Sequence, residues 1–227
     1  RTLSFQLETG VKLYGGFPTG GGNGAFGERD FTAYPTILSG DIGAPGDVND
    51  NSYHVVVGGG ADATALLDGF TVTAGNAPSN DGSASSVGGG IYVASGNPTI
   101  ANCTVQNSRA GWGGGGLYFQ NSSSLLRNTI IRDNYAWAFG GGVNLKNSSI
   151  AIFGASFEKN SASYYGGALY NDQGSPKIIN ALFSGNTAVQ NGGAVYVNSG
   201  NPSLVNVTLY GNRCTAAYSY GGGIWSS

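Results

Sequence analysis

The sequence predicts an all-β fold, a right-handed parallel β-helix of about eight coils. Three observations support this prediction. Apolar residues recur with a 26-residue period in three separate rows, and within each repeat they alternate with polar residues, as in a β-strand. Clusters of glycine separate the strands, without the every-third-residue spacing of collagen. A unit this small cannot bury its own apolar face, so successive units are expected to stack around one shared core.

The three apolar rows run in a single register. The row that follows the glycine clusters keeps its 26-residue step until an insertion of three residues within segment 213–220. This pattern predicts two or three short strands per coil, separated by Gly, Asn and Ser turns. The rows are Ile91, Leu117, Val143, Leu169, Val195 and, after the insertion, Ile224; Val105, Ile131, Phe157, Phe183 and Leu209; and Ile100, Leu126, Ile152, Ile178 and Leu204.

The chain is expected to form one continuous domain with two regions. Residues 1–80 are interpreted as irregular capping coils, because the terminal repeats of a solenoid are usually atypical, and residues 81–227 as the regular repeats. Strands are expected within 35–42 and 54–57, with 11–14 as the first strand.

A loop is predicted near the start of the regular repeats. The step from Leu67 to Ile100 is a 33-residue spacing, longer than the regular 26-residue step, so seven extra residues must be accommodated between them. The polar stretch 77–86 is where we expect this loop to leave one corner of the coil.

A glycine-rich corner is predicted in every regular coil. Small residues allow close backbone approach and positive φ angles. A phosphate-binding loop is the alternative, but it needs a following helix, and each cluster here leads into a predicted strand. The clusters are Gly88 to Gly90, Gly114 to Gly116, Gly140 to Gly142, Gly166 to Ala168, Gly192 to Ala194 and Gly221 to Gly223.

Two rows of asparagine accompany the corners. Asn tolerates the left-handed backbone conformation, and its amide can bond to the equivalent amide in the next coil. We interpret both rows as structural ladders rather than as sugar or metal ligands, since a ligand rarely needs the same group on every coil. The rows are Asn134, Asn160, Asn186 and Asn212, with Ser108 before them, and Asn102, Asn128, Asn180 and Asn206, interrupted by Gly154.

Composition excludes several partners. Only 10% of the residues are charged, the net charge is −2 and no basic run is present, so nucleic acid is not an expected partner. No segment approaches the roughly 20 apolar residues of a membrane span. The sequence has no Met and opens at Arg1, so we expect a processed chain whose start has been removed.

Candidate catalytic residues are few. Glycoside hydrolysis needs two opposed carboxylates, and beyond residue 88 the acids are Asp133, Glu158 and Asp172. Asp133 and Glu158 adjoin Arg132 and Lys159, which favours a surface charge pair, and His54 is interpreted as a strand residue rather than a base. We therefore expect no catalytic site in the repeats.

No cofactor is expected apart from one candidate calcium loop. Asp47, Asn49 and Asn51 have the spacing that opens an EF-hand loop. Ser52 stands where that motif has Gly, and Gly58 stands where it has Glu. A polar surface loop is the favoured interpretation, with a loose Ca²⁺ site as the alternative.

The two cysteines are not expected to form a disulfide with each other. Cys103 falls in an inward-facing row, whereas Cys214 is placed in the inserted loop about four coils away, roughly 19 Å along the axis. A disulfide requires Cα atoms within about 7 Å.

A row of aromatic residues is the candidate interaction surface. It occupies the outward position beside the first apolar row, is interrupted only by Asn144, and continues to Trp225. Stacking that merely stabilises the sheet is one interpretation; an exposed surface for sugars or for another protein is the other. The surface residues are Tyr92, Tyr118, Tyr170 and Tyr196, together with Trp112, Trp137 and Tyr165.

Two stretches of the sequence resemble known families. Gly-Gly-Ala-Leu at 166–169 and Gly-Gly-Ala-Val at 192–195, with Phe157-Glu-Lys-Asn160 and Phe183-Ser-Gly-Asn186, resemble the GGA[ILV] and FxxN repeats of chlamydial polymorphic outer membrane proteins. Leu13-Tyr-Gly-Gly-Phe17 and Leu67-Asp-Gly-Phe-Thr-Val72 are similar to the opening coils of large secreted bacterial β-helix proteins. These resemblances imply a right-handed parallel β-helix and an extracellular, surface-associated location, but no specific activity.

The sequence therefore favours a non-catalytic structural or adhesive module of a bacterial cell surface or extracellular matrix. Its expected partners are surface polysaccharide or protein, or other copies of itself, because an open β-helix end can add a strand and head-to-tail stacking gives a filament. The alternative is a carbohydrate-binding or carbohydrate-active domain whose acidic site lies within segment 1–80.

Overall fold

A computed structural model of the chain describes residues 1–20 and 22–227 and shows a solenoid of short parallel strands. Two 3₁₀ helices, Phe26–Glu28 and Ala84–Ser86, are the helical elements of these residues. The N-terminal strands are β1 (Phe5–Gln6), β2 (Lys12–Tyr14), β3 (Thr36–Ser39), β4 (Val56–Val57), β5 (Leu66–Asp68), β6 (Phe70–Thr73) and β7 (Asn76–Ala77). The central strands are β8 (Ile91–Ala94), β9 (Thr99–Ala101), β10 (Thr104–Gln106), β11 (Arg109–Ala110), β12 (Leu117–Gln120), β13 (Leu125–Arg127), β14 (Ile130–Arg132), β15 (Tyr135–Ala136), β16 (Val143–Lys146), β17 (Ala151–Phe153), β18 (Ser156–Glu158) and β19 (Ser161–Ala162). The C-terminal strands are β20 (Leu169–Asp172), β21 (Lys177–Ser184), β22 (Thr187–Ala188), β23 (Val195–Val197), β24 (Ser203–Tyr210), β25 (Arg213–Cys214) and β26 (Ile224–Ser226).

These strands form three parallel sheets that wrap one core. The first sheet has the order β1-β4-β8-β12-β16-β20-β23-β26, and the third has the order β25-β22-β19-β15-β11-β7. The second sheet contains two columns of strands, which merge where β21 and β24 run continuously through both. Each regular coil thus contributes one strand to the first sheet, one or two to the second and one to the third.

The predicted register is confirmed strand by strand. Leu117 pairs with both Ile91 and Val143, and the other two rows show the same pairing of equivalent residues in neighbouring coils. The side chains of all three rows from Ile91 to Val195 are fully buried. At roughly 2 kcal/mol for each buried apolar side chain, these rows make a large contribution to the driving force for folding.

The regular part of the solenoid has about five turns, fewer than the eight coils predicted. Six corners with positive φ, at Gly88, Gly114, Gly140, Gly166, Gly192 and Gly221, bound five turns. The first sheet nevertheless has eight strands, because β1 and β4 add short pairings at the N-terminal end. The middle glycine of a corner is needed for close approach, since a Cβ on Gly115 would collide with the backbone carbonyl of Tyr135.

The N-terminal region follows the register of the repeats. Leu67 pairs with Ile100 and Val72 pairs with Val105, as the 33-residue spacing predicts. The predicted loop leaves the coil after β7 and contains the second 3₁₀ helix. The first strand is β1, however, and not the segment 11–14, whose strand β2 comes second. β1 consists of Phe5 and Gln6 alone, which is too short for an alternating pattern.

The two 3₁₀ helices are three residues long each. Across the described residues, no helix has the length and apolar character needed to cross a membrane.

The first asparagine row is a buried ladder. Asn134 Nδ2 donates to Asn160 Oδ1 (3.1 Å), Asn160 Nδ2 donates to Asn186 Oδ1 (3.1 Å), and Asn186 Nδ2 donates to Asn212 Oδ1 (2.9 Å). Each of these Oδ1 atoms also accepts the backbone N–H of the preceding Asn in the row. The amides therefore satisfy backbone groups at a corner where no strand pairing is available.

The second asparagine row is more exposed and serves a different purpose. Asn102, Asn128, Asn180 and Asn206 all have φ between 48 and 54°. Two hydrogen bonds between side-chain amides run along the row. Asn128 Nδ2 donates to Asn102 Oδ1 (3.3 Å), and Asn206 Nδ2 donates to Asn180 Oδ1 (2.6 Å). Gly154, with φ 64°, takes the left-handed position in the intervening coil. This row thus supplies left-handed corners, which Asn and Gly adopt at low cost.

The two cysteines are free thiols. Cys103 is buried, and burial raises the pKa of its thiol to about 11. The sequence predicted that Cys214 lies in the inserted loop, and this prediction is wrong. Cys214 belongs to β25 and pairs with Ala188, so the insertion follows it. The two-residue strands of the third sheet leave too short a pattern for the sequence to place that insertion.

Candidate functional site

A column of stacked rings runs along the outer face of the first sheet. Tyr118 stacks on Tyr92 with ring centroids 5.8 Å apart, and Tyr196 stacks on Tyr170 at 5.3 Å and on Trp225 at 4.6 Å. The parallel register of the strands places these rings directly above one another. Asn144 occupies the intervening position, between Tyr118 and Tyr170, so one ring is missing from the column.

A second line of residues packs diagonally over this column. Its members precede the glycine corners and are joined by single bridges in the order Val87, Gly113, Phe139, Tyr165 and Asn191. Phe139 stacks on Tyr170 (4.8 Å), and Tyr165 stacks on Tyr196 (4.5 Å), each over the residue 31 positions later. The partner of Asn144 in this scheme is Gly113, and a Cβ there would collide with the Asn144 amide.

The two small residues together open a slot in the aromatic surface. Gly113 stands where the next coil has Phe139, and Asn144 stands where both neighbouring coils have tyrosines, so the gap runs along one diagonal of the two lines. The resulting aromatic slot has a volume of about 450 Å³, within the range typical of small-molecule sites. Its walls and rim are formed by Asp81, Gly82, Trp112, Tyr118, Phe139, Asn144, Lys146, Tyr170 and Asp172.

The slot combines aromatic rings with polar groups, among them the charged side chains of Asp81, Lys146 and Asp172. The Asn144 side chain is 4% exposed, and no hydrogen bond from the described residues reaches its amide. Asp172 Oδ1 accepts from Asn198 Nδ2 (3.0 Å) and Ser199 Oγ (3.3 Å), which holds the carboxylate in place at the rim. On the opposite rim Asp81 accepts the N–H and hydroxyl of Ser83, and these bonds lower the pKa of its carboxyl group.

The phenols that border the slot remain neutral. Burial raises the pKa of Tyr118 to about 12, and it raises the pKa of Tyr170 further, with the nearby Asp172 carboxylate adding to both shifts. At physiological pH these groups are uncharged rings with a hydroxyl donor. They suit a ligand that offers flat, weakly polar faces and hydroxyl groups.

The predicted exposure of the tyrosine row is wrong for three of its members. Tyr118, Tyr170 and Tyr196 are only 5, 9 and 6% exposed, because the second line of residues covers them. The half-buried members are Tyr92 and Tyr165, and the exposed ones are Trp112 and Trp137, at 38 and 44%. Periodicity identified the outward face but contained no signal for a second aromatic layer, whose 31-residue offset crosses the coil boundary.

The candidate calcium residues lie on one loop but are not brought together. Asn49 Nδ2 donates to Asp47 Oδ1 (2.9 Å), whereas Asn51 is buried and donates to Ala74 O (2.8 Å). Among the residues described, no group of three His, Cys, Asp or Glu side chains is placed to hold a metal ion. The Asp47–Asn49 contact is that of a turn closed by its own side chains.

The other titratable candidates lie outside the slot. Asp133 forms an exposed ion pair with Arg132 (3.2 Å), and Glu158 accepts the hydroxyl of Ser156. His54 precedes β4 and stacks on Tyr92 (4.8 Å), with Nδ1 donating to Gly88 O (2.9 Å). Burial lowers the pKa of His54. Its ring therefore extends the aromatic column.

The fold defines the class of the protein, that of parallel β-helix solenoids. Residues 49–227 match the family described as right handed beta helix region, and the chain belongs to this family. The match establishes the right-handed solenoid. Searches of curated proteins and of solved structures gave no match.

Proposed function

We propose that this chain is a non-catalytic adhesive module of a bacterial cell surface or extracellular matrix, and that it binds glycans in the aromatic slot. The observation that carries the proposal is the gap at Gly113 and Asn144, beside the coils in which Phe139 and Tyr165 stack on Tyr170 and Tyr196. An extracellular location is supported by the resemblance of the repeats to those of bacterial surface proteins.

A sugar ring suits the chemistry of this slot. Its C–H faces pack against aromatic rings, and its hydroxyl groups need donors and acceptors close to those rings. Trp112 and Phe139 supply the rings, and their T-shaped contact (5.5 Å) holds the indole at the slot. The unpaired Asn144 amide on the floor offers both a donor and an acceptor. The sugar residue that occupies the slot is therefore an uncharged one, which stacks on the rings and bonds to the amide through its hydroxyl groups.

The proposal is tested by filling the slot. Asn144→Tyr restores the missing ring of the column and is expected to abolish binding to glycans that bind the natural chain, measured by glycan array and then by calorimetry. Tyr218→Ala, at a 92% exposed ring outside the slot, is the control and should bind normally. A folded Asn144→Tyr chain that binds as well as the natural chain would refute the proposal. Release of reducing or unsaturated sugar from the bound glycan would make the module catalytic instead.

Head-to-tail self-association is a second candidate function. On the last coil Leu209 and Ile224 are 36 and 44% exposed, although their equivalents in inner coils are buried. On the first coil Leu3 and Phe5 are 76 and 48% exposed. Apolar end faces with unpaired strand edges favour the addition of a second copy. Electron microscopy of the concentrated chain should show filaments that Leu209→Lys disrupts; dispersed monomers throughout would exclude this candidate.

A further inference from the structure

A second cleft lies on the third sheet, across the loop 78–86 from the aromatic slot. Its volume is about 280 Å³, and we call it the arginine cleft. Loop residues Pro78 and Asn80 line the arginine cleft, whereas Asp81 and Gly82 of the same loop line the slot. The remaining lining residues are Asn76, Arg109, Ala110, Gly111, Tyr135 and Trp137.

Arg109 is the one charged side chain that lines this cleft. It is exposed, and its guanidinium group makes no hydrogen bond or ion pair within the part of the chain that the structure describes. Asp41 shares an adjoining cavity with Arg109, but its carboxylate accepts the Gly46 N–H (3.0 Å). The five N–H donors of Arg109 are therefore free for a ligand.

The two residues that pair with Arg109 in register form hydrogen bonds with other residues. Asn76 Nδ2 donates to Val48 O (2.6 Å), and Tyr135 Oη bonds to Ser163 Oγ (2.9 Å). These bonds fix the walls of the cleft on both sides of Arg109. The guanidinium group therefore faces a preformed cleft in which neither neighbour competes for its donors.

An aromatic surface connects the two clefts without interruption. Trp112, which lines the slot, contacts Phe139 (5.5 Å), Phe139 contacts Tyr164 (6.3 Å), and Tyr164 contacts Trp137 of the arginine cleft (5.2 Å). A chain of sugar rings that stacks on Phe139 can follow these rings over the corner of the coil toward Arg109.

We propose that Arg109 binds a carboxylate of the same glycan, so that the ligand is an acidic oligosaccharide. A guanidinium group pairs with a carboxylate through two parallel hydrogen bonds, and the ring of Trp137 provides the stacking face beside it. This inference rests on the proposed glycan-binding function and adds the charge of the ligand. The slot holds one sugar by its faces, and the arginine cleft selects for an acidic sugar further along the chain.

The test compares each acidic probe with its own uncharged derivative. The probes are sialyllactose, a hyaluronan tetrasaccharide and oligogalacturonate, each as the free acid and as the carboxyl methyl ester, with binding measured by calorimetry. At least one free acid is expected to bind about tenfold more tightly than its ester, the value of a charge-assisted hydrogen bond. Arg109→Gln should remove this preference and leave ester binding unchanged. Arg127→Gln, at an exposed arginine on the second sheet, should retain it.

The outcomes separate this inference from the proposal on which it rests. Equal binding of acid and ester for every probe, or a preference that survives Arg109→Gln, would overturn the inference while leaving glycan binding intact. A preference that survives Asn144→Tyr but not Arg109→Gln would support the arginine cleft and refute the slot. If no probe binds in either form, the acidic ligand is overturned, and the glycan array then decides the slot alone. Circular dichroism of each variant verifies that the solenoid is folded.

Discussion

Removing one amide from the buried asparagine ladder should destabilise the solenoid strongly. The Asn160 side chain makes four hydrogen bonds: its Oδ1 accepts from Asn134 N (3.2 Å) and Nδ2 (3.1 Å), and its Nδ2 donates to Ile131 O (2.8 Å) and Asn186 Oδ1 (3.1 Å). In Asn160→Ala the buried Asn134 N–H loses its acceptor, the Asn134 amide keeps only its bond to Val105 O (2.9 Å), and the Ile131 carbonyl loses the bond from Asn160. At about 1–3 kcal/mol for each buried group left unpaired, we expect a loss on the order of 4 kcal/mol.

The matched control is Asn128→Gly in the exposed row. Glycine keeps the left-handed backbone at this position, where φ is 48°, and the variant loses one exposed amide bond of 3.3 Å to Asn102. Its expected cost is below about 1 kcal/mol. Gly154 already occupies the same row one coil later.

Urea titration followed by circular dichroism compares the two variants, with native-state hydrogen exchange as a local probe. Solenoids depart from two-state unfolding, so midpoints and slopes are both needed. The Asn134 amide should lose protection from exchange in Asn160→Ala and retain it in Asn128→Gly. Equal destabilisation by both substitutions would refute the reasoning, because burial of the ladder would then make no difference.

Three further predictions use the same structure. Gly154→Asn completes the exposed asparagine row. A Cβ on Gly154 would lie 2.7 Å from Asn128 Oδ1, but this amide is exposed and can rotate away. We expect the free energy of unfolding, measured from urea midpoints, to rise by about 0.5–1 kcal/mol, and a decrease would contradict the prediction. Burial lowers the pKa of His54 below its ordinary value of 6.5, so on acidification the unfolded chain binds a proton before the folded chain does. The stability of the fold should therefore fall as the pH drops from about 7 through the folded pKa. In thermal unfolding, His54→Gln should show no such fall. Gly115→Ala drives a Cβ into the Tyr135 carbonyl and should cost about 3 kcal/mol, whereas an unchanged melting temperature would show that the corner relaxes.

The solenoid itself can be predicted from the sequence because its physics is periodic. The inward residues, such as Ile91, Leu117 and Val143, must fall in register for neighbouring coils to share a core, and spacing alone reveals that register. The elements that escape prediction are those too short to carry a period. Since β1 and β25 have two residues each, the pattern misplaces both the first strand and Cys214.

The candidate site is harder to predict because it is formed by the absence of aromatic side chains at two positions. In the sequence Asn144 is an interruption of the tyrosine row, and Gly113 is one glycine among many. Their pairing depends on the diagonal contact between two lines with a 31-residue offset, which only the packing of Phe139 on Tyr170 makes visible. Arg109 likewise becomes a candidate only when the loop 78–86 is placed beside it.

The gap at Gly113 and Asn144 occupies one diagonal of the solenoid surface. Each coil contacts only its neighbours, so emptying one diagonal leaves the remaining coils nearly unaffected. The position of a binding site along the axis is therefore independent of the fold that supports it. Replacing Gly113 and Asn144 by aromatic residues, and Tyr165 and Tyr196 by Gly and Asn, would move the slot by two coils, roughly 10 Å along the axis. The solenoid itself would not change. Under the proposed function, recognition would be modular, with one diagonal of the surface as its unit of change.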